Sequence, residues 1–210
     1  VLYCYFIARS GPELQKVSYR TVHPGPICFV QQRDLMTAVR ALPPGSRSTL
    51  PLMLEHNLVL LAASEQAAVL PVPFGTAVSA EETLKQLLEA RHADILEALD
   101  RLAGKAEMAL RITLRPDEDP QDRAGQIAGI CQPLQQWFEV RPDGSGEVVL
   151  ELAHLIHREE ADQYRKRLET HAARVNGPRP PFHFLPSFLR KPMRSESRPA
   201  RAVCRHGAAG

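Results

Sequence analysis

The chain has 210 residues, enough for one large or two small cores, with 26 Lys and Arg against 24 Asp and Glu. Six of the bases and one acid fall in residues 190–205, which leaves residues 1–188 with 20 bases and 23 acids. A mildly acidic body gives no long-range pull toward nucleic acid, and no stretch approaches the roughly 20 apolar residues needed to cross a bilayer.

The opening VLYCYFIA, residues 1–8, is apolar, aromatic and β-branched without a charged flank. That is the pattern of a strand covered on both faces rather than of a signal peptide. Ser10, Gly11 and Pro12 make a turn. Residues 17–22 and 27–30 are weaker strands separated by the breaker His23-Pro24-Gly25-Pro26. Residues 34–42 read as a short helix, and ALPPGSRS, 41–48, as a mobile loop. Leu54, Leu58, Leu61 and Ala62 at helical spacing predict a helix over 52–67. The stretch VLPVPFGTA, 69–77, opens as a short strand. Pro71 and Pro73 lack an N–H, which places that strand at a sheet edge or ends it at a corner, and Gly75 lets the chain turn.

Ser79 followed by Glu82 has the form of a capping box. It opens one long amphipathic helix to residue 102, with Leu84, Leu87, Leu88, Ile95, Leu99 and Leu102 on its apolar stripe. Glu81 with Lys85 and Glu97 with Arg101 supply outer ion pairs, and Gly104 ends the helix. Met108, Leu110, Ile112 and Leu114 alternate with Ala109, Arg111 and Thr113, the period of a half-buried strand. After RPDEDPQD, Asp119 caps a helix whose first position is Pro120. That helix runs through Ile127, Ile130, Cys131 and Leu134, bends at Pro133, and ends with Trp137 and Phe138 against the core. A turn at 142–146 leads to a strand over 148–156, a helix over 158–171 using Ala161, Tyr164 and Leu168, and a short strand near 173–175. NGPRPPFHF follows, then a tail rich in Arg, Ser and Pro with little reason to fold.

Two sets of strands and helices without a Gly-rich phosphate loop give an α+β protein of two small domains, each with helices on one face of a small sheet. The boundaries fall at residues 1–104, 105–188 and a basic, flexible tail 189–210. Cys4, Cys28, Cys131 and Cys204 are scattered, which fits a reducing, cytoplasmic setting better than a disulfide scaffold. Cys4 and Cys28 read as small core residues.

No constellation points to chemistry. Glu81 with Glu82, Asp117 with Asp119, and Glu159 with Glu160 lie in first turns or loops, where acids are favoured by the helix dipole and by solvation. His154 and His157 could ligate zinc with Cys131 or His171, but a three-residue step on a strand puts them on opposite faces. The aromatic-basic octapeptide of an RNA-binding sheet is absent, Tyr3 and Tyr5 being the one alternating aromatic pair. A small metal-dependent enzyme and a nucleic-acid binder acting through the tail stay as rival readings.

The stretch 55–114, from EHNLVLLAASEQ through VLPVPFGTA to GKAEMALRITL, resembles the gas vesicle protein GvpL/GvpF family. In that family a helix with an early histidine leads into V-L-P-x-R-F-G-T, an acidic-capped helix and a G-[KR]-x-E-[MW] strand. NGPRPPFHF is similar to the family's T-G-P-W-P-P-Y-[SN]-F, and the opening VLYCYFIA to its Y-L-Y-G-I start. Pro73 stands where the family has arginine, Arg179 where it has tryptophan and Phe182 where it has tyrosine, and the segment 31–51 is short. The resemblance implies a ferredoxin-like N-terminal domain, a gas vesicle location, and a non-enzymatic role in vesicle assembly without cofactor, metal or small-molecule substrate. It implies the small shell protein and other vesicle proteins as partners, with neither nucleic acid nor membrane. Pro71, Pro73, Phe74, Pro180, Pro181 and Phe182 are the expected contacts, and Phe74 is expected to pack inward at a structural corner.

Overall fold

The computed structural model describes residues 1–43, 46, 49–168, 171 and 174–190. β1 (Leu2–Arg9) leads through the single turn α1 (Pro12–Gln15) to the hairpin β2 (Cys28–Gln32) and β3 (Leu35–Ala41), then α2 (Leu50–Gln66) and β4 (Val69–Pro71). The strands lie in the order β2-β3-β1-β4, every pair antiparallel, and the short β5 (Ala77–Val78) adds to the start of β1. A β-α-β-β-α-β chain in this order is ferredoxin-like. Leu14 of α1 and Leu52, Val59 and Leu60 of α2 pack over Tyr3, Tyr5 and Phe6 on one face. α3 (Glu81–Ala90) and α4 (His92–Leu102) cover Cys4, Ile7 and Val39 on the other, so this sheet is covered twice where one covered face is expected.

The second half repeats the pattern. β6 (Lys105–Thr113), α5 (Pro120–Cys131), β7 (Gln135–Pro142), β8 (Val148–His157), α6 (Ala161–Leu168) and β9 (Arg174–Arg179) form an antiparallel sheet in the order β7-β8-β6-β9. Connectivity and order are those of the first sheet, with β6 in the place of β1 and β9 in the place of β4. Ile127, Tyr164 and Leu168 of α5 and α6 pack on Met108, Leu110, Leu150 and Leu152. On the opposite face, Ala153 and Leu155 share a cluster with Leu99, Leu102, Phe184 and Leu189, so the two sheets are cemented by one apolar core. Among the described residues no helix is long and apolar enough to cross a membrane.

Several local expectations give way to longer-range contacts. Within 34–42, expected to be a helix, Leu35–Ala41 form β3, because six buried residues pair with β1 on one side and β2 on the other. Residues 17–22 form no strand. The predicted helix over 81–102 is two helices that meet at Arg91 (φ −119°, ψ 19°), where Arg91 and His92 interrupt the apolar stripe. Leu87, assigned to the stripe, is exposed. β5 runs to Val78, so the cap of α3 falls on Ala80 without a side-chain bond and the capping box at Ser79 does not form. Lys85 pairs with Glu81 at 2.7 Å, whereas Arg101 donates to the Phe184 carbonyl at 2.9 Å instead of meeting Glu97.

Asp119 does cap α5, accepting from the N–H groups of Gln121 and Asp122, with Pro120 in the first turn. The helix then stops at Cys131 through a left-handed Gln132, ahead of Pro133, and Trp137 and Phe138 lie on β7. Cys28 is exposed at the start of the edge strand β2, while Cys4 is core. Of the expected loop 41–48, Ala41 belongs to β3 and residues 44, 45, 47 and 48 lie outside the described residues, as does the whole tail from 191.

Gly177 in β9 has φ 128°, and a Cβ there would sit 2.7 Å from the Glu107 carbonyl oxygen and 2.9 Å from Met108 Sδ. Gly177→Ala combines a backbone clash with a disfavoured dihedral, and the expected loss is about 2 to 3 kcal/mol. A chemical denaturation curve measures it; an unchanged midpoint contradicts this packing of β9 on β6.

Candidate partner-binding groove

The two edge strands β4 and β9 end alike. β4 runs into Pro71-Val72-Pro73-Phe74, and β9 into Arg179-Pro180-Pro181-Phe182. Pro71 pairs with Phe6 and is buried, and Pro180 and Pro181 are buried as well. Phe74 is half-buried, edge-on to Tyr3 and His56 with ring centroids 6.4 and 5.7 Å away. Of the six expected contact residues, Pro73 and Phe182 line one groove of about 300 Å³. Trp137, His183, Leu185, Leu189 and Arg190 complete it. The indole of Trp137 stacks on His183 at 4.1 Å between centroids.

A buried carboxylate positions this wall. Glu107 lies fully buried in β6, and its Oε1 accepts from Arg179 Nε at 2.8 Å, Arg179 Nη2 at 2.5 Å and His183 Nδ1 at 2.8 Å. Oε2 accepts from the His183 N–H at 2.8 Å. Burial pushes its pKa up, but the His183 bonds and the Arg179 charge outweigh that and hold the carboxyl below its ordinary range. Both ends of 179–183 are thereby fixed, which holds Phe182 on the groove that Pro73 also lines. Arg179 is the charged partner of this carboxylate.

A second buried carboxylate, Glu55 of α2, serves the first unit. It accepts from the Tyr5 hydroxyl at 2.5 Å and from the N–H groups of Val22 and His23 at 2.6 and 2.9 Å, with Arg40 Nε 2.9 Å away. Arg40 in turn donates to the carbonyls of His23, Pro24 and Gly25. The breaker 23–26 is therefore held by α2 and β3 together. Beside it the Tyr3 hydroxyl shares a 2.8 Å hydrogen bond with His56 Nδ1.

The candidate metal ligands do not converge. His154 is buried, its Nε2 donating to Gln136 Oε1 at 2.8 Å and its Nδ1 meeting the Tyr164 hydroxyl at 2.7 Å, while His157 is exposed at the strand end. No group of three or more His, Cys, Asp or Glu placed to hold a metal occurs among the described residues. Burial pushes the Cys4 thiol up to about 12 and raises that of Cys131, the reverse of what activates a nucleophile. Sequence reasoning missed Glu107 and Trp137. An acid between Ala106 and Met108 in an apolar strand was the available signal for Glu107; Trp137 was assigned to a helix end and so lost its face.

No curated protein matches the chain. The crystal structure of the gas vesicle protein GvpF from Microcystis aeruginosa superposes with a TM-score of 0.67 at 14% identity, over 87% of this chain and 98% of that one. GvpF from Anabaena sp. PCC7120 gives 0.71 at 19%, over 88% and 95%. At such identities the likeness establishes the shared fold. The family model described as gas vesicle synthesis protein GvpL/GvpF matches residues 1–124, more than half of the chain. With the fold and the family model in agreement, the chain belongs to the GvpL/GvpF family and has a gas vesicle role.

Proposed function

We propose that the chain is a non-enzymatic accessory factor that binds the small, apolar shell protein during vesicle assembly, at the vesicle or in the cytoplasm around it, with other vesicle proteins as further partners. One observation carries this reading: the two separate stretches that bear the family resemblance, 69–77 and 176–184, supply Pro73 and Phe182 to one apolar groove. An apolar subunit needs protection from wrong association before it adds to a wall, and a groove with an aromatic floor supplies it. The non-enzymatic part is supported by the buried Glu55, Glu107 and His154, whose polar atoms are engaged in structural hydrogen bonds. In this reading residues 1–104 and 105–188 are the two domains, and the groove lies where they meet.

Co-expression of the tagged chain with the shell protein, followed by pull-down, is the test. Trp137→Ala and Phe182→Ala each remove a groove aromatic and are expected to lower recovery at least tenfold, in keeping with about 2 kcal/mol for an aromatic hot spot. Deletion of 191–210 is expected to leave recovery unchanged. Folded variants that retain the shell protein as well as the parent chain would place the contact elsewhere.

A further inference from the structure

β7 is a sheet edge that pairs with no further strand among the described residues, and while Arg141 meets Glu151 and Gln136 meets His154, its apolar side chains Phe138 and Val140 are only partly covered. At its hairpin the Asp143 N–H donates to the Glu147 carbonyl, and the register continues as Arg141 opposite Val149 and Glu139 opposite Glu151. Odd-numbered residues therefore turn their N–H and C=O to β8, and Gln136, Phe138 and Val140 turn theirs outward. Pro142 falls on the outward side, where its missing N–H costs the sheet nothing. Phe138 and Val140 share a face with Leu152 and Leu150 of β8, which α5 and α6 cover. The helices stop short of the edge, and Phe138, Val140 and Val148 remain 41%, 39% and 46% exposed.

We propose that this edge pairs with the same edge of a second copy of the chain, antiparallel about Val140, to make one continuous sheet across a two-fold axis. Charge complementarity selects the occupant and the register. Pairing that keeps each face matched must centre on a residue. Centring on Glu139 or Arg141 opposes like charges, and centring on Phe138 sets Gln136 against Val140. Centring on Val140 brings Glu139 opposite Arg141 of the second copy, twice by symmetry. On the other face it gives unbroken apolar rows: Val140 against Val140, and Phe138 against Pro142, backed by Leu150, Leu152 and Val148 of β8. Outward N–H groups of Val140 and Phe138 then find the carbonyls of Val140 and Pro142 in the second copy. The paired stretch 138–142, about 17 Å long, covers less than the roughly 800 Å² per partner of a standard interface, so a dissociation constant of about 10 to 100 μM is expected.

Sedimentation of the full chain from about 1 to 300 μM tests this, a range that brackets the expected constant. The expected result is a monomer–dimer equilibrium that Val140→Lys abolishes. Glu139→Arg and Arg141→Glu are each expected to weaken it at least tenfold, and the double swap to restore it within about threefold; tenfold corresponds to about 1.4 kcal/mol. Circular dichroism confirms the fold of each variant. Hydrogen exchange on the unaltered chain decides independently: the Phe138 and Val140 amides should slow as concentration rises. A monomer at every concentration overturns the proposal, as does a dimer indifferent to Val140→Lys and to the charge swap. A dimer lost through Leu58→Lys alone would assign self-association to the exposed leucine face of α2 and overturn it too.

Discussion

Replacing Glu55 by alanine is expected to destabilise the protein by about 3 to 5 kcal/mol, a large part of the total stability of a domain of this size. The carboxylate is 0% exposed and Arg40 is 2% exposed, so the variant leaves a guanidinium in the core facing no charge. The N–H groups of Val22 and His23 and the Tyr5 hydroxyl lose their acceptor at the same time. Glu55→Gln keeps an acceptor and should lie between the alanine variant and the parent chain. The informative comparison is the double variant Glu55→Leu, Arg40→Met. With both charges gone, no ion is stranded, and much of the loss should be recovered. Urea denaturation of the four proteins measures it. A Glu55→Ala loss under about 1 kcal/mol would mean that water reaches the network and that segment 22–25 is not fixed by it.

Glu55 also shows why part of the fold was legible and part was not. Helical periodicity located α2 within two residues at its start, yet α2 is apolar on both sides, and periodicity alone could not say which side is core. The leucines that announce the helix, Leu54, Leu58 and Leu61, face solvent, and the face carrying Glu55 and His56 is buried. What decides is the supply of polar partners on the sheet: Tyr3, Tyr5 and Arg40 await that face, and no local pattern reveals them. β3 is illegible for a related reason, since a strand buried on both faces has lost its period of two. The stretch Met108 to Leu114, buried on one face and open on the other, keeps its alternation and is legible as a strand. At the groove, proline marks the end of β4 from sequence, whereas β9, expected only near 173–175, runs to Arg179, and the sharing of one groove by Pro73 and Phe182 depends on how two sheets pack, which lies beyond any window of residues.

The two units are held by matching polar devices, although these sit on different elements. Each has a buried carboxylate with an arginine: Glu55 with Arg40 between α2 and β3, and Glu107 with Arg179 between β6 and β9. Each also has a buried histidine bonded to a tyrosine: His56 with Tyr3, and His154 with Tyr164. Acid therefore attacks both units through the same chemistry, and neither can shelter the groove between them.

Stability is expected to fall steeply as pH drops from about 6.5 to about 4. Burial lowers the pKa of both His56 and His154 from an ordinary 6.5 to about 4. In that window the unfolded chain binds protons that the folded chain refuses. Stability thus rises with pH between the two values, is complete above 6.5, and is lost progressively on the way down to 4. Each pH unit of the window is worth about 1.4 kcal/mol per group, so each histidine carries about 3 kcal/mol, and the pair can exhaust most of a domain's stability. Glu55 and Glu107 extend the decline. Both are held below the ordinary 4.5 of a glutamate, so their contributions are present above 4.5 and disappear as pH falls through their lowered values. Urea midpoints at pH 7.5, 6.5, 5.5 and 4.5 trace the curve. His154→Gln, which retains an amide able to donate to Gln136 and accept from Tyr164, should remove about half of the slope between 6.5 and 4.5. A parent chain whose midpoint is flat from 7.5 to 4.5 would show that both imidazoles protonate in place, and hence that the Tyr3–His56 and Tyr164–His154 pairs are open to solvent.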